Sequence, residues 1–233
     1  MIEARPVALV TGGNRGIGRE VASQLFNSGF TVILGSRNRE LGEQAAAGID
    51  PSGGQVLARQ LDVTDPHSVA VTAEWAADRL GRLDVLINNA AVEYDTDQRS
   101  ITADLDRVSR ALDTNLLGAW RVSQAFLALL RRSSHPRIVN VSSEAGAISE
   151  MTGGTPAYSV SKAALNALTR LMAADLRADR ILVNAVCPGW TDTDMGRGGR
   201  PVPEGAASVV WAAMLHDDGP TSGFFRDGHQ LPW

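Results

Sequence analysis

The chain has 233 residues, 44% hydrophobic and 21% charged, long enough for one large core and close to the upper size of a single domain, so one domain over 1–233 is expected. A net charge of −4 and a pI near 5.6, with acidic and basic residues interspersed, provide no basic field for nucleic acid or anionic lipid. Cys187 is the only cysteine, which excludes an intrachain disulfide and a multi-thiolate metal site and fits a reducing, cytoplasmic setting.

The first apolar run, residues 7–10, is too short for a signal sequence or a membrane span and reads as a buried strand. Further strand-length runs rich in β-branched residues follow at 31–34, 56–61, 85–87, 138–141 and 181–186. Stretches with helical spacing lie between them, among others at 18–28, 68–80, 105–130 and 157–176. This alternation predicts an α/β fold: a single-domain, Rossmann-type, doubly wound parallel sheet with helices on both faces and its ligands at the carboxyl ends of the strands. No linker divides the chain; a cofactor half is expected over roughly 1–140 and a catalytic and substrate half over roughly 141–233.

Directly after the first strand, Gly12, Asn14, Arg15, Gly16, Ile17 and Gly18 form a glycine-rich turn into an amphipathic helix. Backbone N–H groups at a helix N-terminus bind anions, and glycines allow the close approach that a pyrophosphate needs. The spacing differs from G-x-G-x-x-G, so the match to a dinucleotide loop is one of mechanism. At the end of the second strand, where a carboxylate would bind a ribose 2′-hydroxyl, stands Arg37; with Arg15 in the glycine loop it favours a 2′-phosphate, hence NADP(H). Asp62 with Val63 follows the third run, placed either to meet an adenine or to form a turn.

Two serines, Ser142 and Ser143, end the fifth run. Ser143 is the candidate to polarise a substrate carbonyl, with a cap or turn as its plain alternative; Ser142 reads as a turn or cap residue. Tyr158 and Lys162, four apart on a helical stretch, share one face. An ammonium beside a phenol stabilises the phenolate and makes it a usable acid–base group. Such a pair is by itself an ordinary feature of helix surfaces, but Lys162 is the sole lysine among 22 Lys and Arg residues. The four histidines are scattered and, like the rest of the chain, show no metal-ligand spacing.

Taken together, these motifs resemble the short-chain dehydrogenase/reductase family over essentially the whole chain. The resemblance implies the tetrad Asn115, Ser143, Tyr158 and Lys162, with Asn115 helping to hold a proton-relay water. It also implies Asn89 and Ala90 at the cofactor, in a motif where Ala91 replaces the usual Gly, and Pro188, Gly189, Thr191 and Thr193 at the nicotinamide carboxamide. Within the family, Arg37, the segment 187–195 and the tail 223–228 look like the carbonyl reductase branch. The animal members' long insertion before the active tyrosine, associated with a monomer, is absent here, so a homodimer or homotetramer is expected.

The expected reaction is NADPH-dependent reduction of a ketone, aldehyde or quinone, with Tyr158 as proton donor. Secondary alcohol oxidation with Tyr158 as base, and a catalytically silent NADP-binding regulator, stand as alternatives. Tyr94, Glu144, Met151, Trp190 and Met195 are the expected pocket wall, largely apolar and aromatic. Glu144 either recognises a basic or hydroxyl-bearing substrate or faces solvent. The Gly-rich segment 196–201 is either a mobile lid or a plain loop.

Overall fold

Strands whose successive side chains point to opposite faces need apolar cover on both sides when all of them are apolar, and the chain supplies it with helices. The computed structural model describes residues 5–233; the first four residues of the expected domain lie outside them. The described strands are β1 (Val7–Thr11), β2 (Thr31–Ser36), β3 (Val56–Gln60), β4 (Val85–Asn88), β5 (Arg137–Val141), β6 (Leu182–Val186), β7 (Phe224–Arg226) and β8 (His229–Gln230). They form one sheet in the order β3-β2-β1-β4-β5-β6-β7-β8, parallel throughout except for the terminal β7–β8 pair. The strand order reverses between β1 and β4, which opens a crevice at the carboxyl edge.

The helices are α1 (Gly16–Asn27), α2 (Arg39–Ile49), α3 (Pro66–Leu80), α4 (Leu105–Ala111), α5 (Ala119–Leu130), α6 (Pro156–Asp175) and α7 (Val202–Ala213). Two cores result from the pleat. Ala8, Val10, Val32 and Ile87 pack with Val21 and Leu25 of α1, Ala45 of α2 and Val209 of α7. Leu9, Leu86 and Ile138 face the other way, onto Val122 and Phe126 of α5 and Ala173 of α6.

The expected doubly wound sheet is present, and three local differences have physical causes. The stretch read as one helix over 105–130 is interrupted by a π-helical segment, Leu112–Gly118, between α4 and α5. A π turn carries an extra residue, which rotates the face presented by the next helix, and apolar spacing alone does not register it. Helix α3 begins at Pro66, earlier than the periodicity implies, because Asp65 accepts from the His67 N–H and proline suits the first turn. Periodicity does not mark helices α2 and α7 or the β7–β8 hairpin. The surface of α2 against the sheet is built from Gly42, Ala45 and Ala46 rather than from large apolar residues, so its stripe is faint in sequence.

Phe126 is fully buried between α5 and the sheet. Phe126→Ala is expected to lower unfolding free energy by about 3–5 kcal/mol, read from urea melts against wild type.

Candidate active site

Parallel strands deliver their loops to one edge, so residues far apart in sequence meet there. The cleft at this edge is lined from β1 and α1 by Gly12, Asn14, Arg15, Gly16, Ile17 and Gly18. The ends of β2, β3 and β4 add Arg37, Asp62, Val63, Asn89 and Ala90. From β5, α6 and the loop after β6 come Ser142, Tyr158, Lys162, Pro188, Thr193 and Met195.

Gly12 and Gly16 adopt φ of +65° and +53°, the left-handed region that side chains disfavour. A side chain at Gly18 would fall on the Asn89 amide and the Gly12 carbonyl. Asn89 holds this turn from the neighbouring strand, donating from Nδ2 to the Thr11 carbonyl at 2.9 Å, while the Thr11 hydroxyl accepts from the N–H groups of Asn89 and Ala90. Helix α1 has no side-chain cap and no acidic residue in its first turn, so its first N–H groups face the cleft free of a competing anion.

Arg37 stands exposed at the cleft. Arg15 does not lie open: its Nη1 pairs with Asp194 at 2.7 Å, both side chains being largely exposed. Asp62 lines the cleft and also forms the turn that was its alternative reading, its Oδ1 accepting from the Thr64 N–H and hydroxyl.

Tyr158 and Lys162 are both buried in the first turns of α6. Lys162 Nζ donates to the Val141 carbonyl at 2.7 Å and sits 5.5 Å from the centroid of the Tyr158 ring. Burial lowers the ammonium to about 8, since a low-dielectric surrounding disfavours the charged form. The same burial pushes the Tyr158 phenol well above its ordinary value, opposed by a hydrogen bond with Ser143. The expected lowering of the phenol by Lys162 is therefore not what prevails in this structure, where burial is the largest cause and the hydrogen bond with Ser143 is what opposes it.

Ser143 shows its cap reading and lies beside the phenol. Its hydroxyl meets Tyr158 and accepts from the Ala145 N–H, opening the short 3-10 turn Glu144–Gly146. Ser142 lies beneath, its hydroxyl donating to Asn166 Oδ1 at 2.6 Å. Asn115, in the π segment, is buried with its amide committed: Oδ1 accepts from the Val92 N–H, and Nδ2 donates to the Val92 carbonyl and to Ser161 Oγ.

The expected pocket wall is brought together only in part. Tyr94 packs edge-on against Tyr158, with centroids 5.2 Å apart, and Trp190 leans on Tyr94 at 5.6 Å. Glu144 is exposed, as its solvent reading had it, but offers no lone charge, because its carboxylate pairs with Arg226 of β7 at 2.6 Å. Met151 is exposed just after the 3-10 turn Ile148–Glu150. Thr191 is buried under its loop, its hydroxyl donating to the Pro188 and Gly189 carbonyls; Gly189 likewise turns inward, its N–H directed at Cys187 Sγ. The segment 196–201 is pinned, since Arg200 donates to the Pro188 carbonyl and forks onto Asp227.

Sequence reading missed Thr11, Ser161, Asn166 and Asp95. Asp95 is 1% exposed, and its carboxylate accepts from the N–H groups of Ala157 and of Tyr158 itself. In sequence it is one acid in an acidic loop, and nothing local points to partners more than sixty residues away.

A family model described as short chain dehydrogenase matches residues 6–201. Among curated relatives, carbonyl reductase (NADPH) 1 of Mus musculus is 31% identical, with all of both chains covered. Its alignment runs to 284 positions, so that relative carries insertions this chain lacks. Salutaridine reductase of Papaver bracteatum is 33% identical over 96% of this chain and 94% of its own. Among solved structures, NADPH-bound carbonyl reductase from chicken fatty liver superposes with a TM-score of 0.87 at 29% identity, covering 99% of this chain and 100% of that one. With a family match over most of its length and a relative aligned from end to end, this chain belongs to the short chain dehydrogenase family.

Proposed function

We propose that this chain is an NADPH-dependent carbonyl reductase that converts a ketone, aldehyde or quinone to an alcohol, with Tyr158 as the proton donor. The observation that carries this reading is the meeting of buried Tyr158 and Lys162, with half-buried Ser143 beside the phenol, at a cleft whose other wall is the glycine turn.

The residues present fit a dinucleotide. The turn has no room for a side chain at Gly13 or Gly18, the uncapped start of α1 suits a pyrophosphate, and Arg37 at the end of β2 suits a 2′-phosphate. Arg15 can join it, because an exposed ion pair such as Arg15–Asp194 is worth only about 0–1 kcal/mol and is readily exchanged. When bound, the cofactor supplies the hydride. Ser143 then holds the substrate oxygen as charge develops on it, and Tyr158 gives that oxygen a proton. Lys162 and Asn115 keep the proton path ordered, the former from its anchor on the Val141 carbonyl. Tyr94 and Trp190 form an aromatic flank beside the phenol, which fits an apolar carbonyl compound.

The same reading includes a homo-oligomer. Leu105, Trp120, Val160 and Leu171 are exposed apolar side chains on α4, α5 and α6, which lie side by side, and such a surface is one that a second copy can cover. Light scattering that returns the mass of one chain overturns this part alone.

The principal test follows NADPH absorbance against a panel of aldehydes, ketones and quinones, with NADH in parallel. Tyr158→Phe is expected to abolish turnover while leaving NADPH affinity nearly unchanged; retention of most activity would remove the assignment. Arg37→Asp is expected to lower kcat/KM with NADPH about ten- to a hundredfold, the worth of a charge-assisted hydrogen bond, and to spare NADH. For pH, the ammonium of Lys162 is the working form and is lost as pH rises through about 8. The value of kcat/KM should therefore fall across that range, and a flat profile there assigns Lys162 no part in the titration.

A further inference from the structure

Helix α6 carries the proposed acid, and its start is unusual. Thr155, at the N-cap, has φ of +43° and makes no side-chain cap bond. Pro156 has no N–H to satisfy, and the Ser159 N–H already returns to the Thr155 carbonyl. The donors left without a local partner are Ala157 and Tyr158, and Asp95 takes both, at 2.9 and 3.1 Å. The cap that the helix lacks in its own sequence is thus supplied by a buried carboxylate from the loop after β4. Charge-assisted bonds of this kind are stronger than neutral ones, and a negative charge at a helix N-terminus is favourable.

That loop is itself clamped on both sides of Tyr94. Val92 is held by the Asn115 amide. Glu93, at φ of +61°, receives Arg107 Nε at 2.9 Å and Arg110 Nε at 3.3 Å. Between Glu93 and Asp95 stands Tyr94, edge-on to the Tyr158 ring. The backbone of Tyr158 and the aromatic wall against its ring are therefore tied to the same side chain.

We propose that Asp95 is a positioning residue for proton transfer: by binding the first turn of α6 and carrying Tyr94 against the Tyr158 ring, it holds the phenol in register with Ser143. The proposal rests on the reading of Tyr158 as proton donor. Asp95 is buried with both carboxylate oxygens on the backbone of α6 rather than on the glycine turn, so its loss is expected to act on the chemical step rather than on dinucleotide binding. Misplacement of a catalytic group by about 1 Å can cost on the order of a hundredfold in rate.

The test is steady-state kinetics of Asp95→Ala, Asp95→Asn and Tyr158→Phe with NADPH and a carbonyl compound that the wild type reduces, together with NADPH affinity from a fluorescence titration. Asp95→Ala is expected to lower kcat about tenfold or more with NADPH affinity within about twofold. Asp95→Asn keeps one oxygen for one of the two N–H groups and sets its amide NH2 against the other, so it is expected to recover only part of that loss. Should Asp95→Ala fail to fold, Asp95→Ser, whose shorter side chain cannot reach both donors, takes its place in the comparison. The proposal is overturned if the shortened variant keeps kcat within twofold, if NADPH affinity falls in step with kcat, or if Asp95→Asn, with one of the two bonds lost, is as active as wild type. Activity retained by Tyr158→Phe removes the proton-donor reading and this proposal with it, whereas an inactive Tyr158→Phe beside an unimpaired Asp95→Ala removes only the role of Asp95.

Discussion

A lysine ammonium buried to 2% exposure must be given partners or lose its charge, and much of this molecule is arranged around that constraint. Lys162 meets it by reaching across from α6 to the carbonyl of Val141, the last residue of β5. The bond needs helix and strand at a fixed separation. A close approach makes that possible: a side chain at Gly146 would strike the backbone of Lys162 and Ala163. The cost of the burial is visible in the ammonium, held near 8, and in the phenol beside it, held high.

The separation is enforced by polar contacts at successive levels of α6. Asn140 of β5 donates to Thr169 at 2.8 Å, and the same Asn140 accepts from Asn88 of β4. One turn nearer the cleft, Asn166 accepts from Ser142 and donates to the Gly146 carbonyl. Lys162 forms the next level and Asp95, at the helix start, the last. Apolar packing sets elements in contact but tolerates sliding, whereas buried hydrogen bonds leave their groups unsatisfied if the register shifts. These side chains place Tyr158 and Ser143 with respect to each other, and the π segment bearing Asn115 joins the same framework through Ser161.

The substrate side is built differently. Trp190 and Met195 remain partly exposed, and the charges there are paired off: Glu144 with Arg226, Arg200 with Asp227, Arg15 with Asp194. Of these, the Glu144–Arg226 pair ties the turn after Ser143 to the edge strand β7, with Cys187 Sγ close by at 3.9 Å from the carboxylate. Paired in this way, these groups leave no lone ion among them at the rim, which suits the apolar carbonyl compound proposed as substrate.

The sequence by itself determined the alternation of strand and helix, the glycine turn after β1, and the spacing that puts Tyr158 and Lys162 on one face, because each is a local pattern governed by periodicity or by glycine's permitted angles. Arg37 and Ser143 were legible for a related reason: a residue at the end of a parallel strand has its place set by the topology. Tertiary structure alone decided whether Arg15 and Glu144 stand free or paired, that the Thr191 hydroxyl is spent on its own loop, and that desolvation governs the phenol. It also brought Asp95 to the start of α6. Such outcomes depend on which distant groups arrive within hydrogen-bonding reach once the core has closed, and no local pattern carries that information.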